Sequence, residues 1–170
     1  MAPDYTIREA ERADRETLVA FTLRQAREAE GLELDPAGAR RGVEGAFEEP
    51  PRATYWVAES EDGRVVASIS VVTEWSDFHG GDYWWVQSVF VVPEHRGGGL
   101  VARLLDHLAR VARDAGALDL RLYVHEANAR AICAYRRSGF AEAPYRIMNR
   151  ILREEGSPDA APASENGHRR

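Results

Sequence analysis

An arginine and three consecutive glycines stand where an extended segment passes into a helical one. Residues 91–105 read VVPEHRGGGLVARLL, so Arg96 and Gly97 to Gly99 lie between β-forming valines and a leucine-rich run. Each glycine in an ordered segment costs about 0.5–1 kcal/mol relative to alanine. Backbone N–H groups at a helix N-terminus bind anions, and the helix dipole adds to that attraction. The pattern therefore predicts a turn that binds a phosphate or a diphosphate.

Three other interpretations of these glycines differ in how well they fit. A P-loop requires Lys-Ser/Thr after its last glycine, and Leu100-Val101 stand there instead, which excludes it. Gly97, Gly99 and Ala102 match the dinucleotide fingerprint G-x-G-x-x-G/A. That fingerprint normally opens a βαβ unit directly from its strand, whereas here it follows successive hairpin strands and Pro-Glu-His-Arg. A glycine turn without any ligand is the remaining alternative.

The glycines belong to a larger combination of residues. Arg96 and Gly99 form an Arg-x-x-Gly-x-x pattern, Asn128 opens the segment NARAICAYRRSGF, and Tyr135 precedes Gly139-Phe140 by four residues. This combination resembles the GNAT superfamily of acyl-CoA-dependent N-acyltransferases over about residues 84–142. The order of elements up to Arg153 is also similar. One position departs from the pattern, because the last residue of the glycine motif is Val101 rather than Gly or Ala.

The resemblance implies a fold and a coenzyme site. The fold is a single α/β domain over residues 1–153, with a mixed, mostly antiparallel twisted sheet of six to seven strands and helices on both faces. Acetyl-CoA would be the co-substrate, with its pantetheine arm paired like an added strand to the backbone of Val89, Phe90 and Val91. Asn128 would bond the pantetheine region. The diphosphate would be held by the backbone N–H groups of Arg96, Gly97, Gly98, Gly99, Leu100, Val101 and Ala102.

Acetyl transfer to an amine needs an acid and a base. An alkyl amine has a pKa near 10, so its deprotonation at pH 7 costs about 4 kcal/mol. The resemblance places Tyr135 near the thioester sulfur, where a phenol can donate a proton to the departing thiolate; an inward-packing helix aromatic is the alternative. Related polyamine-type enzymes often carry a strand glutamate where this chain has Gln87, which can only orient the amine or a water. Glu74, acting directly or through water, is the favoured base.

The loop before the third β run concentrates acids and aromatic rings. Trp75, Asp77 and Asp82 lie close to Trp85 in the sequence, and carboxylates with aromatic faces hold an ammonium group at roughly 0.5–2 kcal/mol per contact. We therefore expect a small cationic amine as acceptor, with an amino acid or a protein N-terminus left open. Tryptophans that pack both faces of a sheet are the structural alternative. Because Gln87 is not a base, a non-catalytic acyl-CoA-binding module also remains.

The elements that position these residues follow from patterning. Alternation predicts strands over 4–10, 54–60, 64–72, 83–92, 118–124 and a broken β region over 140–152. Helices are predicted from Asp14 to Gly31, from Asp35-Pro36 to before Pro50, over 98–115, and over 128–137. Residues 154–170 contain no aliphatic side chain larger than alanine and are predicted to be a disordered tail.

Composition limits the classes of protein. A net charge of −6 over 170 residues argues against a nucleic-acid partner. No apolar run approaches the roughly 18–20 residues of a membrane span, and the N-terminus lacks a signal-peptide pattern. Cys133 is the single cysteine and the histidines lack a metal-binding spacing, so neither a disulfide framework nor a metal is expected. The expectation is a cytoplasmic protein that acts on a small molecule, with a homodimer compatible.

Overall fold

A computed structural model gives the structure of the protein and describes residues 4–150 and Leu152. The strands are β1 (Tyr5–Glu9), β2 (Thr54–Ser60), β3 (Val65–Ser76), β4 (Gly81–Val91) and β5 (Asp119–Leu122). The helices are α1 (Arg15–Glu30), α2 (Pro36–Glu44), α3 (Leu100–Asp114) and α4 (Ala129–Arg137). Short 3-10 helices lie at Arg12–Asp14, Gly45–Phe47 and Pro93–His95.

The strands form one sheet in chain order, β1-β2-β3-β4-β5. The first three pairs are antiparallel, with β2-β3 and β3-β4 joined as hairpins and β1 connected to β2 through α1 and α2, and β4 pairs with β5 in parallel. A parallel pair needs a crossover, and α3 supplies it between these two strands. The expected mixed, mostly antiparallel sheet with helices on both faces is therefore confirmed.

Two apolar layers enclose the sheet. Residues of β2, β3 and β4 pack on the buried stripe of α3, whose members are Leu100, Leu104, Leu105, Leu108 and Ala112. On the other face, Leu18 and Val19 of α1 and Val43 of α2 pack on Val57 of β2. The Asp35 carboxylate caps α2 by accepting from the N–H groups of Ala37 and Gly38. None of the helices in the described part combines the length and hydropathy that a bilayer crossing requires.

The predicted number of strands was too high. The described residues contain five strands, and residues 140–150 form neither strand nor helix, so the predicted β region over 140–152 is wrong within that range. Tyr145, Ile147 and Met148 are exposed there. Pro144 has no backbone N–H to donate to a neighbouring strand. The three apolar residues within positions 145–148 do not alternate with polar ones. The prediction rested on β-forming composition alone and was wrong for that reason. The predicted tail over 154–170 lies outside the described residues.

Candidate active site

The strands β4 and β5 part halfway along β4. Their pairing runs from Tyr83 opposite Asp119 to Val86 opposite Leu122, where β5 ends. β4 continues for five more residues, to Val91, and stays paired with β3 on its other side. In the described part of the chain no strand covers residues 87–91 on the β5 side. Apart from the Val91 carbonyl, which accepts from Arg96 Nε, their backbone groups on that side are open to pair with an extended ligand.

A bulge lies where the two strands part. Ser70 of β3 pairs with Ser88, whereas the next residue, Val71, pairs with Val86, so Gln87 has no partner across the ladder. A bulge turns the strand locally and re-aims side chains. It leaves Val86 with the α3-side core, whereas Phe90 packs on Phe21 of α1. Gln87 is exposed at this bend, beside the opening between the strands.

Residues 96–102, here called the glycine turn, join β4 to α3. Gly97 and Gly99 have φ values of 82° and 79°, which favour glycine. A Cβ atom on Gly98, whose φ is not in that region, would meet no atom within 4 Å. Neither the backbone conformation nor the internal packing therefore requires a glycine at Gly98. The lack of a side chain at this position leaves the approach to the turn clear.

The turn presents backbone donors. From Gly97 to Ala102, no N–H group donates to another group of the described residues, and α3 begins at Leu100 without a side-chain cap. The N–H of Arg96 is different, because it donates to the carbonyl of Pro93 at 3.2 Å. The Arg96 N–H therefore does not belong to the set of free donors that was predicted. The Arg96 side chain donates from Nε to the carbonyl of Val91 at 2.8 Å. Unpaired N–H groups at the start of a long helix form an anion site.

Asn128 has a structural task at the start of α4. Its Oδ1 accepts from the N–H of Ala131 at 3.1 Å, which caps the helix. The side-chain oxygen is thereby used, and the amide NH2 group is what remains to donate to a pantetheine carbonyl.

Tyr135 lies in the last turn of α4 and is half-buried. Its ring packs on the core between α3 and the sheet and makes an edge contact with Phe140, with the centroids 5.9 Å apart. The hydroxyl has no hydrogen-bond partner among the described residues. Burial raises the pKa of Tyr135 above its ordinary value. Tyr135 is therefore a phenol that keeps its proton and has it free to donate.

Side chains from three strands form a second surface, the aromatic wall: Glu74, Tyr83, Trp85, Arg121 and Tyr123. The rings of Trp85 and Tyr123 stack with centroids 4.4 Å apart, and Trp85 Nε1 donates to the Glu74 carboxylate. The Arg121 guanidinium lies 3.3 Å from the centroid of Tyr83 and 5.7 Å from that of Trp85. A cation of the protein thus already covers part of the aromatic surface predicted for a substrate ammonium group.

The carboxylates predicted as the base and as ammonium ligands lie away from the opening between the strands. Glu74 pairs with Tyr83, and Gln87 follows Tyr83 by about 13 Å along an extended strand. Asp77 is in the hairpin turn, and Asp82 pairs with Trp75 at its base. Strand alternation puts Trp75 and Asp82 on the face opposite Trp85. The structure brings Glu74 and Trp85 together and leaves Trp75, Asp77 and Asp82 apart from them.

Some residues at the site were not singled out from the sequence. Arg121 and Tyr123 complete the wall, and the alternation of LDLRLYV was a signal that both share one face. Arg24 and Glu28 of α1 also reach the end of β4, where Glu28 pairs with Arg96. Nothing local in α1 indicates that contact, because it depends on how α1 packs on the sheet.

Comparisons with known proteins agree with this geometry. The family model described as Acetyltransferase (GNAT) family matches residues 16–140. Streptothricin acetyltransferase of Streptomyces lavendulae is 36% identical over 105 residues, which are 61% of this chain and 53% of that protein. L-amino acid N-acyltransferase MnaT of Escherichia coli K12 is 39% identical over 70 residues, 41% of either protein. The chain thus aligns with about half of each of these relatives.

Solved structures show the same fold over nearly the whole chain. A possible acetyltransferase from Clostridium difficile 630 superposes with a TM-score of 0.82 at 31% identity, covering 88% of this chain and 99% of that one. A predicted acetyltransferase with acetyl-CoA from Clostridium acetobutylicum superposes with a TM-score of 0.72 at 19% identity, covering 89% of this chain and 99% of that one. At that identity the second likeness concerns the fold alone.

Proposed function

The chain belongs to the GNAT family of acetyltransferases, and we propose that it transfers the acetyl group of acetyl-CoA to the primary amine of a small cationic molecule. The observation that carries the proposal is one continuous binding path. Uncovered backbone of β4 leads, through the 3-10 turn Pro93–His95, to the unpaired N–H groups of the glycine turn. An extended arm that ends in a diphosphate fits that path, because the strand supplies alternating donors and acceptors and the helix start supplies an anion site.

Different residues along this path would bind different parts of the coenzyme. Val89, Phe90 and Val91 offer backbone to the pantetheine arm, with the carbonyl of Val91 already engaged by Arg96. The turn from Gly97 to Ala102 would hold the diphosphate. Val101 contributes through its N–H and not its side chain, so its extra bulk relative to the family pattern leaves the donor in place.

Acetyl-CoA would supply an activated acyl group as a thioester, and Tyr135 would act as the acid. Since its pKa is raised by burial, the phenol stays protonated at neutral pH and can donate to the sulfur as it leaves. Gln87, exposed at the bulge, would orient the attacking amine or a water. We keep Glu74 as the base acting through water, because its distance along β4 does not allow direct contact with an amine at the opening.

The aromatic wall would hold the acceptor. Trp85 and Tyr123 present a stacked aromatic surface next to the Glu74 carboxylate, which suits an ammonium group. The relatives named for streptothricin and for L-amino acids act on small molecules, and this favours a small acceptor over a protein N-terminus. A cytoplasmic location, a homodimer and the lack of a nucleic-acid partner stay predictions.

The test measures binding and turnover separately on the full chain. Titration calorimetry with CoA is expected to show binding, and Ellman's reagent is expected to report thiol release from acetyl-CoA with at least one amine from a panel. The panel contains spermidine, an aminoglycoside, streptothricin, L-methionine and a peptide with a free N-terminus. No heat with millimolar CoA would refute the coenzyme site. Binding of CoA without turnover of any amine would favour the second candidate, an acyl-CoA-binding module, for which Gln87 is the supporting observation.

A further inference from the structure

Two arginines from different parts of the chain meet at the end of β4. The guanidinium carbon of Arg24, on α1, lies 5.2 Å from the ring centroid of Phe90, and that of Arg96 lies 5.6 Å from the same centroid. Phe90 is buried and is fixed from α1 by Phe21, at a centroid distance of 4.7 Å. This packing holds Arg24 beside the first residue of the glycine turn.

One carboxylate stands between the two arginines. Glu28 Oε2 lies 2.5 Å from Arg96 Nη2, and its Oε1 lies 3.6 Å from Arg24 Nη2. All three side chains are partly exposed, so these ion pairs add little to folding stability. Two guanidinium groups and one carboxylate leave a net positive charge around Phe90, at the end of β4, where the backbone of Arg96 begins the glycine turn.

We propose that Arg24 is a second cationic residue of the coenzyme's diphosphate site and that Glu28 is the counter-ion that the diphosphate replaces. The inference rests on the proposed function, because it assumes that the glycine turn holds the diphosphate. The Arg96 side chain is fixed through Nε to the carbonyl of Val91, which leaves its terminal nitrogens to change partner from carboxylate to phosphate. The guanidinium groups can bind phosphate oxygens as they bind carboxylate oxygens, through charge-assisted hydrogen bonds.

The proposal predicts opposite effects for the two charges. Removal of the Arg24 charge takes away a phosphate contact, so binding of CoA weakens. Removal of the Glu28 charge takes away a competitor and a source of repulsion, so binding of CoA strengthens. Arg27 provides a matched control on the same helix, since its partner is Glu33 at 2.7 Å, outside this cluster.

The experiment is calorimetric titration of the full chain with CoA and with dephospho-CoA, which keeps the diphosphate and lacks the 3′-phosphate. For Arg24→Gln we expect Kd for both ligands to rise about tenfold, the effect of one charged hydrogen bond. Glu28→Gln is expected to lower Kd about threefold, and Arg27→Gln to leave it within about twofold. Arg24→Lys, which keeps the positive charge and the aliphatic part of the side chain, should restore most of the affinity for both ligands.

Each contrary result has a distinct meaning. Wild-type protein that does not bind CoA contradicts the proposed function itself. Wild-type binding with unchanged Kd in Arg24→Gln overturns only the role of Arg24, and so does a loss that Arg24→Lys does not restore, because that points to packing on Phe90. A loss seen with CoA and absent with dephospho-CoA assigns Arg24 to the 3′-phosphate and overturns the diphosphate contact. Weaker binding by Glu28→Gln overturns the counter-ion role.

Discussion

Beyond its C-terminal end β4 is followed by main-chain N–H groups, whereas the rings near its N-terminal end contact a carboxylate of β3 and a guanidinium of β5. The glycine turn is built from one contiguous segment, residues 96–102, and its donors are available because no internal acceptor meets them. The aromatic wall is assembled from β3, β4 and β5, and its polar groups already contact one another.

This difference concerns how far each region depends on side-chain identity. Backbone donors at a helix start do not depend on it, so the proposed diphosphate site would tolerate Val101 where the family pattern has a small residue. The wall depends on every side chain it contains, because Trp85, Tyr123 and Arg121 fix one another's positions. Substitutions should therefore change the acceptor more readily than they change the coenzyme.

The largest effect is expected for Tyr135→Phe, a residue of α4 that belongs to neither region. Loss of the proton donor should lower kcat about 100-fold and leave the Kd for CoA unchanged. Because burial raises the pKa of Tyr135, the wild-type rate should increase with pH from 7 to 9 as the amine loses its proton, without a descending limb in that range. Thiol-release rates across that pH range measure both. Tyr145→Phe, an exposed tyrosine, is the control. A rate insensitive to Tyr135→Phe would remove the acid from the mechanism.

Gly98→Ala tests whether the turn is an open binding surface. Alanine fits the backbone at Gly98, and its Cβ meets nothing inside the protein, so the melting temperature should stay the same. If a ligand approaches there, Kd for CoA should rise about tenfold, comparable to the loss of one hydrogen bond. Gly42→Ala, also without neighbours within 4 Å, is the control. Unchanged affinity in Gly98→Ala would place the diphosphate elsewhere.

The same difference between locally built and assembled regions decides which features could be predicted from the sequence. The glycine turn, the α3 stripe and the antiparallel pairing of the three successive β runs were predicted because each is local: a helix start, a 3.6-residue period and successive hairpins. The engagement of the Arg96 N–H by Pro93 was missed, since the 3-10 turn over Pro93–His95 has no distinct sequence signal. The predicted last β region failed because a strand needs a partner, which β-forming residues alone do not guarantee.

The wall was only partly predictable, for a physical reason. Trp85 and Glu74 were named, but Arg121 and Tyr123 lie far along the chain and reach them only through the register of the parallel pair β4-β5. The bulge at Gln87 was likewise invisible, because it depends on the pairing of Ser70 with Ser88 and of Val71 with Val86. Side-chain sites assembled from several strands follow register, and register is a property of the folded sheet.

Trp85→Leu should affect the acceptor and spare the coenzyme. Loss of the ring removes the stack on Tyr123 and a cation–π surface, so KM for a cationic amine should rise about fivefold, within the range of one such contact. Kd for CoA should not change. Trp75→Leu, on the opposite face and 64% exposed, is the matched control. Equal effects of the two substitutions on KM would mean that the wall does not contact the acceptor.

Glu74→Gln should have the smallest effect on turnover. It tests whether the aromatic wall and the opening beside Gln87 act separately. If Glu74 attracts the ammonium group and water can still take up the proton without it, kcat/KM should fall about threefold, as for a solvent-exposed charge pair. Asp77→Asn, in the hairpin turn, should change it less. Thiol-release kinetics with spermidine measure both. A loss of 100-fold or more would show that Glu74 reaches the opening beside Gln87 as the base, and the two ends of β4 would then form one continuous catalytic surface.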